Sequence, residues 1–405
     1  MRIALIPGAV TAPAGFTAAG IAAGIKKNGN PDVAIIAADA TCAAAGVFTI
    51  NKAQAAPILI SKGHLEQSGG RAQAIIVNAG CANACTGEQG AADAREMALL
   101  TSSLLGCEAE EVLVASTGVI GVNLPMDKVR RGIEQAHAAR ASDAGEAASL
   151  AIMTTDPFPK ARAVECTLED GRTFRVGGIA KGSGMIEPRM ATMLAFLTTD
   201  VEIEPELLQR AVAKTVDLTF NAITVDGECS TNDCVFALAS AASGVAIREA
   251  DFETFVVALI EVAGFMAREI VRGGEGATKL VAINVSGART DADAWMAART
   301  IANSPLVKTA IHGSDPNWGR LVAAAGRSGA AFELEKTSVS IGTVHLFVKG
   351  TPHDERADEA AVVLGHTDRE IEIYVDLGFG TSHRATVWTC DFSAEYVRIN
   401  AEYRT

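Results

Sequence analysis

Positive charge is in short supply in this 405-residue sequence: 35 Lys and Arg face 48 Asp and Glu, for a formal charge of −13. Phosphate-backbone binding is driven by clustered Lys and Arg, so this balance argues against a nucleic-acid partner. Long apolar runs are also missing. The opening Met1-Arg2-Ile3-Ala4-Leu5-Ile6 reaches Pro7 too soon for the core of a signal peptide. The run over 255–267 is broken by Glu261 and falls short of the roughly 20 residues a membrane span needs. The expectation is a soluble, cytoplasmic protein without a membrane partner. Seven histidines are scattered, none four residues from another, which removes the helical zinc-site pattern, and no metal is expected. Eight cysteines are present, but the close pairs Cys81/Cys85 and Cys229/Cys234 lack the two-residue spacing of a redox or zinc motif. In a long chain with no secretion signal they read as reduced thiols.

Nucleotide motifs are absent as well. Gly274-Glu275-Gly276-Ala277-Thr278-Lys279 places its Lys after Thr and has no Gly-Lys-Ser/Thr ending. Lys181-Gly182-Ser183-Gly184-Met185 lacks the third glycine of a dinucleotide turn. What is present is apolar mass: 49% hydrophobic residues, only 5% aromatic, and 38 glycines, with a mean hydropathy of +0.22. Such a chain can bury a large core. Strand-like runs bounded by Gly, Pro, Asn or Asp occur at 32–37, 46–50, 57–61, 74–78, 112–116, 234–238 and 280–285. Helical spacing of Leu, Met, Val and Phe marks 91–105, 206–216 and 252–271. Alternation returns at 338–341 and 371–375. Strands and helices therefore intermix in an α/β or α+β protein with no repeat or linker. The cluster Gly177-Gly178-Ile179-Ala180-Lys181-Gly182-Ser183-Gly184 reads as a glycine-rich turn inside the body, where backbone must approach something closely.

The most informative stretch runs Lys181-Gly182-Ser183-Gly184-Met185-Ile186-Glu187-Pro188-Arg189-Met190-Ala191-Thr192-Met193-Leu194. Taken alone, Thr192 is a core residue, because threonine is a weak nucleophile that needs an activating base. The combination of Gly-Ser-Gly-Met-Ile, Pro and Met-Ala-Thr-Met-Leu, however, resembles the self-cleavage segment of the glutamate N-acetyltransferase family, the ornithine acetyltransferases of arginine biosynthesis. Further matching segments occur in order: Gly15-Phe16-Thr17-Ala18-Ala19-Gly20, Val47-Phe48-Thr49-Ile50-Asn51-Lys52, Asn83-Ala84-Cys85-Thr86-Gly87-Glu88-Gln89-Gly90 and Thr154-Thr155-Asp156. Asp226-Gly227-Glu228-Cys229-Ser230-Thr231-Asn232-Asp233, Gly274-Glu275-Gly276-Ala277-Thr278-Lys279 and Asp315-Pro316-Asn317-Trp318-Gly319-Arg320 complete the set.

The resemblance implies an α/β sandwich of two β-sheets between helical layers, and a cut between Ala191 and Thr192. The fragments would be 1–191 and 192–405, intertwined in one body and paired into a heterotetramer of two copies of each. The freed Thr192 would have its own α-amine as base, with an ordinary pKa of about 7.7–8.0, so no Ser-His-Asp arrangement is required. Thr117 and Gly118 are implied as oxyanion donors. Thr155, Lys181, Thr192, Glu275, Asn400 and Thr405 are implied as substrate contacts, with Thr154 replacing Thr155 if the alignment slips by one. Lys181 suits an α-carboxylate, Glu275 an ornithine ammonium and Asn400 an amide or carboxylate, and the C-terminal tail is expected to fold back over the site.

The implied reaction passes acetyl from N2-acetylornithine through Thr192 to L-glutamate, with no required cofactor. Acetyl-CoA as a second donor is left open. So are two alternatives: an N-terminal-nucleophile aminopeptidase or amidase, in which water is the acceptor, and a silent binding scaffold. Two departures stand out: Arg189 where the family usually has Asn, and Ala79-Gly80-Cys81 where Ser-Gly-Asn is usual.

Overall fold

A computed structural model describes residues 1–187 and 193–402. Contacts divide it into two compact units, one of Met1–Asn221 with Glu228–Ile270, the other of Ala222–Gly227 with residues 271–402.

The first unit is organised by β3 (Val33–Phe48), a 16-residue strand rich in alanine. Its first half pairs with β2 (Phe16–Ile21) on one side and β4 (Arg71–Cys81) on the other. After a register irregularity between Ala37 and Cys42, its second half pairs with β9 (Cys234–Ala239). The remaining strands are β1 (Arg2–Leu5), β5 (Val112–Val119), β6 (Lys160–Thr167), β7 (Thr173–Lys181) and β8 (Leu194–Thr199). Together they make a nine-stranded sheet in the order β1-β6-β7-β8-β9-β3-β4-β5, with β2 beside β3. Only the β4–β5 and β8–β9 pairs are parallel among its described strands.

The sheet folds over on itself through β3. One buried cluster joins Ile36, Ile75, Val77 and Leu113 of the β2–β5 half to Ile179, Phe196, Phe236 and Leu238 of the β6–β9 half. Their alternate neighbours Ile35, Ile76, Val112 and Val114 point outward, onto Met97 and Ile133, as the period of two along a strand requires. Met97 belongs to α2 (Gly87–Leu105) and Ile133 to α3 (Met126–Ala138), and α1 (Ala56–Gln67) also lies on the β5 side. The other half is covered by α5 (Pro205–Leu218) and α6 (Phe252–Arg272); α4 (Gly145–Ile152) contributes Ala148, Ala151 and Ile152 to the interior between the halves. The expected sandwich of sheet layers between helices is thus realised within this unit. Each fully buried Ile, Val or Phe supports it by about 1.5–3 kcal/mol.

The second unit holds a six-stranded sheet, ordered β13-β12-β11-β14-β10-β15. Its strands are β10 (Leu280–Ser286), β11 (Ser338–Ile341), β12 (Val344–Val348), β13 (Thr351–Pro352), β14 (Ile371–Asp376) and β15 (Ala385–Cys390). Ile283, Val285, Ile373 and Val375 pack against Ala294, Ala297 and Ala298 of α7 (Asp291–Ala302). Further helices are α8 (Pro305–His312), α9 (Trp318–Gly326), α10 (Ala357–Leu364) and α11 (Ala394–Glu402).

Two sequence expectations need correction. Residues 57–61 form the start of α1, not a strand. The Ile-Leu-Ile run reads as β, but Pro57 sits in the first helical turn, where its missing N–H costs nothing. Gly177 and Gly178 lie inside β7 and not in a turn. Their lack of side chains makes room for neighbouring layers: a Cβ at Gly177 would come within 2.1 Å of the Ala9 carbonyl oxygen, and one at Gly178 within 2.7 Å of Met266.

Candidate active site

Thr117 and Gly118 are the last residues of β5 before Val119, and Thr117 is brought beside Lys181, the last residue of β7. The Lys181 ammonium donates to Thr117 Oγ1 at 3.0 Å. Lys181 is only 2% exposed, so it is not the solvated charge that an isolated lysine suggests. Gly118 has φ of +127°, and a Cβ there would lie 2.4 Å from the Gly80 carbonyl carbon. Glycine is therefore required, and its backbone can approach a small reactant closely. The departure at Ala79-Gly80-Cys81 falls on the adjoining end of β4, where the pairing with β5 shifts register.

Beside Lys181 lies a buried ion pair. Asp156 Oδ1 accepts from Lys160 Nζ at 2.6 Å and from the Gly182 N–H at 2.7 Å, while Oδ2 accepts from the Thr154 N–H at 3.0 Å. Burial alone would raise this carboxyl, but Lys160, Lys181 and the Gly182 N–H outweigh it and hold Asp156 at about 2. Asp156 thereby ties the Thr154-Thr155 segment to the residue after Lys181. Thr154 and Thr155 are both half-buried. Lys26 also feels this cluster. Burial, and the nearby Lys181, pull its ammonium down to about 8 against the opposing pull of Asp32 and Asp156.

A second carboxyl behaves in the opposite way. Asp233 is 0% exposed, and its Oδ1 accepts the Met193 N–H at 2.9 Å. Burial pushes it well above the ordinary carboxylate range, against smaller lowering effects of the Met193 N–H, Lys181 and Ser230. Its Oδ2 makes no hydrogen bond of normal geometry among the described residues. The preceding Asn232 donates its amide to Ala82 O at 2.6 Å and to Ser116 O at 2.9 Å. Adjacent residues thus join the backbone just before β8 to the strand that carries Thr117 and Gly118.

Upstream of the predicted cut, Met185 has φ of +59°. A non-glycine residue in the left-handed region is uncommon, and a cost of order 1–3 kcal/mol must be met by the surrounding packing. Ala191 and Thr192, the predicted cleavage pair, and Thr405 lie outside the described residues, as does Arg189.

In the second unit Glu275 is buried, and Asn400, exposed on α11, donates to its Oε2 at 2.9 Å. The Glu275 loop is fastened by Asp391, which accepts from the Thr278 N–H and hydroxyl, each at 2.7 Å, and from the Lys279 N–H at 2.9 Å. His312 Nδ1 meets the same carboxylate at 2.7 Å. The structure therefore pairs Glu275 with Asn400 and, separately, Lys181 with Thr117.

Lys26, Asp156, Lys160, Asn232 and Asp233 carry no role in the sequence reading. The only signal for three of them was membership of the matched segments Thr154-Thr155-Asp156 and Asp226 to Asp233. Among the described residues, no helix is long and apolar enough to cross a membrane.

The chain matches the ArgJ family over residues 17–405. It is 47% identical over 405 residues to the arginine biosynthesis bifunctional protein ArgJ of Symbiobacterium thermophilum, covering 99% of each chain. It is also 47% identical over 411 residues to that of a Synechococcus strain, covering 99% of this chain and 98% of the relative. The solved structure of the ornithine acetyltransferase from Mycobacterium tuberculosis complexed with ornithine is 41% identical. It covers 46% of this chain and 98% of that one, with a TM-score of 0.42. The resemblance carried by the Met-Ala-Thr-Met segment and its companions is borne out by the family match and the full-length identities: this chain belongs to the ArgJ family.

Proposed function

We propose that this chain transfers acetyl from N2-acetylornithine to L-glutamate in arginine biosynthesis, by way of an acetyl ester on Thr192 freed by a cut after Ala191. The observation that carries the reading is identity along the whole length to ArgJ relatives. The juxtaposition of Lys181 with Thr117 and Gly118 supports it locally.

Acetyl transfer requires a nucleophile, a base and donors for the oxyanion. After the cut, Thr192 supplies the first two, because its α-amine adjoins its hydroxyl. Thr192 Oγ attacks the acetyl carbonyl while the amine takes the hydroxyl proton. The developing negative oxygen is met by donors at Thr117 and Gly118, and the Lys181 ammonium reinforces the Thr117 hydroxyl. Fixed donors of this kind are worth roughly 2.7–4 kcal/mol each. The amine then returns its proton to the departing nitrogen of ornithine. Glutamate's amine attacks the resulting ester, and the same donors hold the second oxyanion.

Thr155 or Thr154, Lys181, Glu275, Asn400 and Thr405 are proposed as substrate contacts. Lys181 supplies a buried cation for a carboxylate, and the Glu275–Asn400 pair supplies an anion and an amide for an ammonium-bearing amino acid. Acetyl-CoA is proposed as a second donor to glutamate, a reading supported by the relatives being named bifunctional. The assembly is proposed as two copies of each fragment, in the cytoplasm.

The test combines a gel with an assay. Purified protein should run as two fragments, the larger beginning at Thr192, and Thr192→Ala should stay whole. Incubation with acetylornithine and glutamate should yield acetylglutamate and ornithine. Release of acetate without acetylglutamate would replace the transferase with a hydrolase.

A further inference from the structure

Lys26 takes no part in the acetyl-transfer scheme, yet three pieces of the first unit meet on it. Its loop is fixed by Asp32, which is fully buried. Asp32 accepts the Ala23 N–H at 2.7 Å through Oδ1 and the Lys26 N–H at 2.9 Å through Oδ2. The Asp32 carbonyl accepts the Ala79 N–H at 2.8 Å, which docks the loop on β4 just before Gly80. The stem of Lys26 then passes behind Gly80: a Cβ at Gly80 would lie 3.2 Å from Lys26 Cγ and 3.5 Å from its backbone nitrogen. Gly80 is in turn what Gly118 rests on, since a Cβ at Gly118 would lie 2.4 Å from the Gly80 carbonyl carbon. Gly118, Gly80 and Lys26 therefore follow one another in layers. Beyond the stem, the ammonium donates to Pro31 O at 2.5 Å and to Ala151 O at 3.2 Å. Ala151 belongs to the last turn of α4, where carbonyls lack partners within the helix and a cation is favoured. Three residues later comes Thr154, whose N–H is held by Asp156.

We propose that Lys26 is a positioning residue for acetyl transfer: its stem backs the Gly80–Gly118 corner, and its ammonium holds the end of α4 that leads into Thr154 and Thr155. This rests on the roles given above to Gly118 as an oxyanion donor and to Thr155 or Thr154 as a substrate contact. Two effects separate along one side chain. The methylenes act through Gly80 on a donor needed in the transition state, so their loss falls on kcat. The ammonium acts through Ala151 on a segment that binds substrate, so its loss falls on KM. The charged groups that act on the ammonium are Asp32 in its own loop, Lys181 at the end of β7, and Asp156. From α3, Lys128 donates to Gly24 O of the same loop at 2.5 Å. Burial, opposed by Asp32 and helped by Lys181, brings the ammonium down to about 8, so the hold on Ala151 loses its charge in mildly alkaline solution.

Steady-state kinetics on the full-length protein test this. Lys26→Met keeps most of the stem and removes the charge, and should raise the KM for acetylornithine by about tenfold, the scale of one hydrogen bond to a charged group, with kcat little changed. Lys26→Ala removes the stem as well and should also lower kcat, by up to about 100-fold, the cost of a misplaced reacting group. Lys26→Arg restores the charge and should bring KM back toward the wild-type value. The wild-type KM should climb as pH passes about 8, whereas Lys26→Arg, whose guanidinium stays charged, should lack that rise. Titration of the Thr192 amine and of the substrates is common to both chains. A Lys26→Met protein with wild-type KM overturns the proposal, and so does an alkaline rise in KM that Lys26→Arg shares. Should Lys26→Met or Lys26→Ala fail to fold, the alkaline profiles of wild type and Lys26→Arg decide. A wild-type protein that makes no acetylglutamate from acetylornithine would instead defeat the acetyl-transfer reading, and with it the roles on which the proposal stands.

Discussion

Asp156 and Asp233 are both buried carboxyls of the same unit, yet their surroundings shift them in opposite directions. Around Asp156 the chain places Lys160 at 2.6 Å, the Gly182 N–H at 2.7 Å and the influence of Lys181. Around Asp233 it places the Met193 N–H at 2.9 Å and weaker lowering effects of Lys181 and Ser230, which together do not offset burial. Desolvation is the largest effect at both. What separates them is the number of positive groups within reach, so burial alone does not tell whether an acid is a fixed anion or a proton store.

The sharpest way to break this contrast is to remove the anion. Asp156→Ala leaves the Lys160 ammonium, itself fully buried, without its carboxylate, and should cost about 3–5 kcal/mol. Urea unfolding of the uncut Thr192→Ala chain measures this on a single polypeptide, and a loss below about 1 kcal/mol would mean that Lys160 finds another partner.

An acid titration of stability comes next. Asp156 titrates at about 2 in the folded chain against an ordinary 3.8. The unfolded chain therefore binds its proton first as pH falls, and stability present above pH 4 should drain away by about 2 kcal/mol as pH drops toward 2. Asp233, raised instead of lowered, contributes with the opposite sign. Its contribution is whole below the ordinary carboxyl range and declines as pH rises through and above it. Stability curves of Asp156→Asn and Asp233→Asn should accordingly diverge from the parent at opposite ends of the acid range; curves that run parallel would erase the distinction.

The smallest effect is expected for Asp233→Asn at pH 5. It exchanges a carboxyl for an amide of the same shape and keeps the Met193 bond, so the change should stay within about 1 kcal/mol. A larger loss would show that the carboxyl makes a contact the amide does not replace.

Much of the scaffold was legible because its pattern is local. The alternation of Ile75, Ile76 and Val77, and of Val112, Leu113 and Val114, marks strands with two buried faces, and the structure sends those faces to different clusters. Only 32–37 and 46–50 read as strands in this region, because Asp39 and Thr41 interrupt the apolar run, although the backbone of β3 continues through them. The site was legible only where resemblance named residues. Asp156 and Lys160 sit in Thr-Thr-Asp-Pro-Phe-Pro-Lys, which reads as a polar turn because nothing local shows that both charges enter the interior. Asp233 was hidden for the same reason. Its significance depends on an amide 40 residues away in sequence, and a contact of that range leaves no periodic trace.

The order of strands also governs what happens to the molecule after maturation. β8 and β9 come from beyond the proposed cut, and they are inserted between β7 and β3, which come from before it. Severing the backbone after Ala191 would thus leave two polypeptides laced through one hydrogen-bonded sheet, unable to part without opening it. Folding before the cut is a search by one chain, whereas reassembly after unfolding is an encounter between two. The mature protein should therefore renature poorly on dilution, with a yield that rises with concentration, while the uncut Thr192→Ala chain refolds independently of it. Its durability would rest on how slowly the sheet opens, and less on any equilibrium between folded and unfolded forms.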